Sequence, residues 1–586
     1  MWYDYTKGWY YSMRVTSSKS KNSESFYINY AYIDKNGKST STTYKKLGTL
    51  AELSKQLNTD RDGVIAWAKE QARLATIEYQ KENEVVNIPF VPNQQIDKDI
   101  QNSFNCGYLF LQSLYSQLRF DNIVRNISNR SEFKFNLNHI LADLIYSRIL
   151  CPSSKKSTFQ FAHTLLEQPK YQLHDVYRSL SVLAKECDYI QEEIYRNSNF
   201  IHKRDSSVLY YDCTNYYFEI EQEDGNKKYG KGKEHRPNPI IGMGLFMDRN
   251  GFPLSFDLYP GNQNEQGTLK PLEKKIIDNF DCSEFIYCSD SGLASKKNKL
   301  FNSIQGRSFV ITQSLKKLKK DDKAIALNPI QYRKIGSNKF IDLRNLDEKD
   351  KKVFESTFYK EIPLTDNENL IVTYSPKYKA YQKKIREGQV QRALKLIDDG
   401  GKLKKTHRNP NDPARFITSI NTTKDGEIAE EQNNVLNQDA IDTESMYDGF
   451  YAVTTNLDWD ILEIIAINQR RWQIEECFRI MKTDFEARPV YLQRDDRIKA
   501  HFLTCFLSLL IYRLLETKLN NEYTIDEILS TLRSMTVCEI KGYGYLPTYK
   551  RTDLTDKLHE LFGFNTDSQF IRKSVMRNII KQSKEK

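Results

Sequence analysis

The chain has 586 residues, 39% apolar and 28% charged, which excludes global disorder and exceeds one domain, so about three to five folding units are expected. Its 87 basic and 77 acidic residues leave a net charge of +10, which permits a polyanionic partner without requiring one. The nine scattered cysteines form no C-x-x-C, so neither zinc-finger spacing nor a disulfide framework is expected.

The N-terminus, MWYDYTKGWYYSMRV, lacks a basic region followed by an apolar core, so no signal peptide is expected. YINYAYID alternates, Asn36-Gly37 is a hairpin-turn signal, STSTTYKKLG follows, and residues 50–82 have helical spacing. Residues 1–95 therefore read as a small β-hairpin module with a helix, either DNA-binding or a structural appendage. Residues 96–205 read as a helical, DNA-binding region. LFLQSLYSQL, LNHILADLIYSRIL and VYRSLSVLAKECDYIQEEIY place apolar residues three and four apart, with a break at Cys151-Pro152-Ser153-Ser154. Arg148, Lys155 and Lys156 there are candidate DNA contacts, set against a plain solvated face.

At Ser207 the pattern changes. SVLYYD, IIGMGLFMD and PLSFDLYPG read as three strands, with Arg249-Asn250-Gly251 turning between the last two. A helix at 268–278, the strand FIYCSD, a helix near 295–303 and the strand SFVIT follow, which describes a mixed α/β sheet over 206–315. Residues 316–446 change character again, with strands at 339–343 and 370–374, a basic helix at 376–398 and a turn at 409–413. DGFYAVTTN returns to the sheet, so 316–446 reads as an insertion and 447–520 as the sheet domain resumed. Residues 461–485 read as one strong helix. Residues 502–512 are apolar but too short to span a bilayer, and read as a buried helix of a soluble, intracellular protein with no membrane partner. Residues 521–586 read as helical with a basic tail. The Lys-, Asn-, Ile- and Tyr-rich composition fits an AT-rich bacterial genome.

On the helix at 461–485, positions 468, 471, 475, 479 and 482 fall within about 40° of one line. That stripe reads Asn468, Arg471, Glu475, Arg479 and Lys482, with Trp472 beside it. Taken alone, it could be a solvated face with ordinary ion pairs. Asp212 ends SVLYYD and Asp290 ends FIYCSD, and carboxylates at neighbouring strand ends are a way for an α/β sheet to build a metal site. Phosphodiester attack needs an activated oxygen and a stabilised leaving oxygen. Two Mg²⁺ ions about 3.5–4 Å apart supply both, using hard oxygen ligands. Arg471 and Lys482 would then hold phosphates beside the cut. Glu476 rivals Glu475, while Asp257 and Asp281 rival Asp290. His235 and Arg236 lie in the basic loop YGKGKEHR, which is either a DNA-backbone contact or a solvated loop.

The sequence resembles the bacterial insertion-sequence transposases that have an RNase H-like catalytic domain, a DDE triad and a Y-x2-R-x3-E-x6-K signature. R-W-x-I-E-x-x-F-R-x-x-K matches from Arg471 to Lys482, while Asn468 stands where the signature has tyrosine. YYDCTNYYFE resembles the first-Asp motif and YCSDSGLAS the second. KGKEHRPNPIIGMGLFMDRNGFPLSFDLYPGNQNE resembles the segment between them. The resemblance covers most of 100–565 and implies an RNase H-like mixed sheet interrupted by a β-rich insertion that helps hold a hairpin intermediate. It further implies Asp212, Asp290 and Glu475 as catalytic metal ligands, two Mg²⁺ ions (Mn²⁺ substituting), and double-stranded DNA as partner, both transposon ends and target. A homodimer in the synaptic complex and a cytoplasmic, nucleoid-associated location are implied as well. Two alternatives are a metal-dependent nuclease on the same core and a domesticated DNA-binding protein without catalysis.

Overall fold

A computed structural model describes residues 13–21, 23–33, 39–82, 86–93, 95–399, 411–422 and 431–585. Asn36-Gly37 and the start of the 409–413 turn lie outside them. The chain divides into two compact units, Met1–Lys98 and Asp99–Lys586.

The first unit holds three antiparallel strands, not the expected pair: β1 (Arg14–Ser20), β2 (Ser23–Ile33) and β3 (Ser39–Thr49). The helical stretch at 50–82 is broken into Leu50–Leu57 and Arg61–Glu82. Asn58 closes the first helix in the left-handed region, with φ 49°, which asparagine tolerates better than most residues.

The second unit begins with β4 (Ser103–Asn105) and a bundle of helices, among them Tyr108–Gln117, Leu137–Leu150, Lys155–Ala162, Leu173–Lys185 and Cys187–Ser198. A large sheet follows. Its strands are β5 (Val208–Tyr217), β6 (Ile240–Asp248), β7 (Pro253–Pro260), β8 (Ile286–Ser289), β9 (Ser308–Thr312), β10 (Tyr332–Lys334), β11 (Phe340–Ile341), β12 (Phe358–Thr365), β13 (Glu368–Tyr374) and β16 (Phe450–Thr455), the last following β14 (Ile417–Thr422) and β15 (Glu431–Leu436). Their spatial order is β11-β10-β12-β13-β16-β9-β8-β5-β6-β7, with β5, β8 and β9 mutually parallel.

The stretch read as an insertion does not stand apart. Four of its strands extend this sheet outward from β16, while β14 and β15 pair only with each other. It also holds more helix than strand, with Pro376–Asp398 its longest element. The C-terminal stretch is not all helical either. β17 (Thr536–Ile540), β18 (Gly544–Pro547) and β19 (Ile571–Arg572) join β4 in a four-stranded sheet, and the expected basic tail is the helix Lys573–Gln582.

Both faces of β5 are covered, which explains its nearly unbroken apolar run. Leu209, Tyr211 and Cys213 pack under the helix Leu269–Asn279. Tyr210 and Tyr216 face the opposite way, into the largest core, with the helix Asp495–Lys518. That helix is long and apolar enough to cross a membrane, yet 89% of its apolar window is buried inside the protein. Gly244 lets β6 close on β5, since a Cβ there would sit 2.3 Å from the Tyr211 hydroxyl oxygen.

Candidate active site

Asp212 is the one partly open position in the otherwise buried β5, which runs on to Tyr217 instead of ending at the aspartate. Side chains alternate along a strand, so Asp212 shares its face with Tyr210 and Tyr216. The Tyr210 hydroxyl donates to the Ile467 carbonyl at 3.0 Å, which fixes the end of the helix Ile461–Gln469 over that face. Lys482 lies over the Tyr216 ring, 5.3 Å from its centroid. Asp212 therefore sits between the two ends of the segment that carries the sequence stripe.

Asp290 comes to the same place by register. Tyr210 pairs with Cys288 across the parallel β5–β8 ladder, and two residues further on stand Asp212, within β5, and Asp290, just past the end of β8. Asp290 also caps the turn Ser291–Leu293, accepting from the Gly292 N–H at 2.9 Å. Burial pushes the Asp212 carboxyl up to about 6; Lys233 and Arg471 oppose that rise and Asp290 adds to it. The rivals stand elsewhere in the chain's turns and edges. Asp257 is exposed and accepts from the Leu258 N–H, and Asp281 occupies a left-handed turn before β8.

The helix expected over 461–485 is three pieces: Ile461–Gln469, Trp472–Arg479 and a π-helical turn Ile480–Asp484. This breaks the five-residue stripe. Arg471, at the junction, pairs with Glu475 at 3.0 Å. Burial disfavours its charge, but Glu475, Tyr451 and Asp212 together hold its pKa above the ordinary value. Arg479 leaves the stripe. It chelates Glu476 at 2.7 and 2.9 Å and reaches Asp484 at 3.1 Å, so it and Glu476 satisfy each other away from Asp212. The π turn, with its wider hydrogen-bonded ring, resets the phase that a uniform 100° step assigns to Lys482.

Glu475 is mostly exposed and held by Arg471. Among the described residues, no three His, Cys, Asp or Glu side chains are grouped to hold a metal ion. Asp212 and Asp290 thus interact with each other, while Glu475 is held by Arg471.

Around them stands a row of cations. Burial lowers Lys482 to about 8, with Glu234 opposing. Glu234 lies between Lys482, at 3.9 Å, and Arg488. Arg236 covers the Tyr217 ring at 4.2 Å and Arg488 approaches it at 5.4 Å. His235 is exposed, with φ 54°. Lys233 donates its ammonium to the Cys213 carbonyl and its N–H to the Asn215 side chain at 3.1 Å. Lys233 and Arg488 were not singled out from the sequence; the charge run of YGKGKEHR was the available signal for the first, and none marked the second.

Asn468 accepts from Thr312 at 3.3 Å, and Thr312 shares a 2.7 Å hydrogen bond with the Tyr451 hydroxyl. A groove of about 430 Å³ opens here, lined by Tyr378, Tyr451, Asn468, Arg471, Trp472 and Glu475. Trp472 is 59% exposed beside it.

Residues 203–511, which contain every one of these carboxylates and cations, match the family of transposase DDE domains. The chain belongs to that family. No curated protein matches this transposase. Among solved structures, a cryo-EM structure of a piggyBac transposase synaptic complex with hairpin DNA covers 81% of this chain and 84% of that one, at 8% identity and a TM-score of 0.32.

Proposed function

We propose that this transposase is encoded by a bacterial insertion sequence, binds the element's terminal inverted repeats, and cuts and joins DNA with Asp212, Asp290 and Glu475. The carrying observation is that Asp212, on β5, and Asp290, just past the end of the adjacent parallel strand β8, come close enough to interact, with Arg471 and Lys482 beside Asp212. Three antiparallel strands followed by two parallel ones, in the order β7-β6-β5-β8-β9, support the reading of that part as RNase H-like.

The donor set fits a hard divalent cation, since Asp212 and Asp290 present adjacent carboxylates without nitrogen or sulfur ligands. Mg²⁺, with Mn²⁺ as substitute, would supply activation of the attacking oxygen and charge stabilisation of the leaving one. Glu475 joins the two aspartates once Arg471 transfers its guanidinium to a phosphate, which offers the same bidentate acceptor geometry as a carboxylate. Lys482, now shared with Glu234, neutralises a second phosphate. Asn468, Trp472, His235 and Arg236 contact the DNA around the cut, with Trp472 offering a face for a base. Two copies of the chain act together, because two element ends must be paired, and the work is done on nucleoid DNA in the cytoplasm.

The test uses purified protein, Mg²⁺, a labelled element end and a plasmid, comparing wild type with Asp290→Ala. Joined products that disappear in the variant are expected. Cleavage without joining would make the protein a nuclease, and binding without chemistry would end the catalytic proposal.

A further inference from the structure

Among the described residues, two buried cations outside the active site have no counter-ion. Lys155 is 4% exposed, and its Nζ has no hydrogen-bond partner; the Nε of Arg148, itself 3% exposed, has none either. The remaining donors of Arg148 reach only carbonyls: Phe485 at 3.0 Å, Glu486 at 3.3 Å and Ser153 at 3.0 Å. A buried charge without an opposite charge is costly to hold, and a native chain keeps one where something supplies the missing partner. Burial and the Arg148 charge lower Lys155 to about 7, in keeping with an ammonium that lacks its anion.

These groups border a small cavity of about 100 Å³, lined by Arg148, Ser154, Lys155, Tyr177, Arg488 and His501 among others, room for an ion and not for a base. The only carboxylate on its wall, among the described residues, is the exposed Glu486. Lys155 also begins the eight-residue helix Lys155–Ala162, whose dipole favours an anion at this end, while Ser154 already accepts the Ser157 N–H at 3.2 Å. His501 donates or accepts at the Ala487 carbonyl, 3.0 Å away, and its charge is suppressed by burial and by the two cations.

We infer that this cavity is a seat for a phosphate oxyanion, filled in the working protein by a backbone phosphate of bound DNA. The DNA source rests on the function proposed above. It is favoured by Arg488, which lines the cavity and, through Glu234, adjoins Lys482 beside Asp212. A strand held at Lys482 would have a neighbouring phosphate to offer on the side of Arg488, which lines the cavity. The bundle's Lys155 then fixes the register of the duplex relative to the cut, without reading its sequence.

The full chain, wild type and Lys155→Met, is melted with and without inorganic phosphate, and duplex binding is measured against salt. Phosphate is expected to raise the melting temperature of the wild type and leave Lys155→Met unmoved. Without phosphate the variant is expected to melt higher, since it has lost an unpaired buried charge. The slope of log affinity against log salt is expected to shrink by about 0.9 in the variant, one phosphate's worth. Lys155→Gln replaces the Met variant if that does not fold. A phosphate response that depends on Lys155, with an unchanged slope, would make the seat one for free phosphate and overturn the DNA assignment. Equal phosphate responses in both proteins, or none in either, would overturn the seat. A wild type that binds no duplex would sink the DNA reading, and the melting arm would still judge the seat.

Discussion

Asp143 shows how far a single side chain can depart from what its type implies. It sits on the helix Leu137–Leu150, 2% exposed, accepting from the Tyr171 hydroxyl at 2.7 Å with His139 at 3.5 Å. Burial pushes its carboxyl up to about 7 from 3.8; Tyr171 opposes that and Glu167 adds to it. The folded chain therefore holds a proton there that the unfolded chain has already lost between pH of about 4 and about 7. Stability from this group is complete below that window and declines as pH rises through it. Asp143→Asn keeps the acceptor for Tyr171 and cannot ionise. Urea midpoints measured from pH 5 to 8 are expected to fall for the wild type relative to the variant as pH rises. Parallel curves would mean that Asp143 is ionised throughout.

The broken helix over 461–485 decides which charges work together. A uniform helix would align Arg471, Glu475, Arg479 and Lys482; the junction at 470–471 and the π turn at 480–484 separate them. Arg471 keeps both Glu475 and Asp212 within its field, while Arg479 is spent on Glu476 and Asp484. Arg471→Gln is expected to lower the rate of DNA cleavage by about 10²–10³, the usual loss for removing one donor that stabilises developing charge. Arg479→Gln is expected to leave that rate within a few-fold while lowering stability. Single-turnover cleavage of a labelled end distinguishes them, and equal losses would restore Arg479 to the active site.

In the second unit as a whole, one helix does the most to unite the parts. Asp495–Lys518 packs its buried residues against the helical bundle and against one face of the sheet. Phe502 meets Tyr216 of β5 at 4.6 Å between centroids, and Phe506 meets Phe256 of β7 at 5.2 Å. Leu507, fully buried among them, leaves a cavity on truncation that neither layer can refill. Leu507→Ala is expected to cost about 2–5 kcal/mol, read as a lowered urea midpoint monitored both by helix and by tyrosine signals. Loss of less than about 1 kcal/mol would show that the two layers are stabilised independently of this helix.

Much of the core was legible along the chain because it depends on local order. IIGMGLFMD, SFVIT, LNHILADLIYSRIL and the basic helix Pro376–Asp398 occur where apolar runs and helical spacing put them. The two aspartates were legible for the same reason, as carboxylates closing apolar runs. Short strands such as β4, β10 and β19 were not, because two or three residues carry no period and become strands only when a distant edge offers hydrogen bonds. Nor could periodicity show that strands of the inserted stretch extend the main sheet, or that Arg479 pairs with Glu476 and Asp484 while Arg488 pairs with Glu234. Sequence by itself determined which residues can carry the chemistry. Tertiary structure decided which of them face one another, because charge partners are chosen by distance in space and not by spacing along a helix.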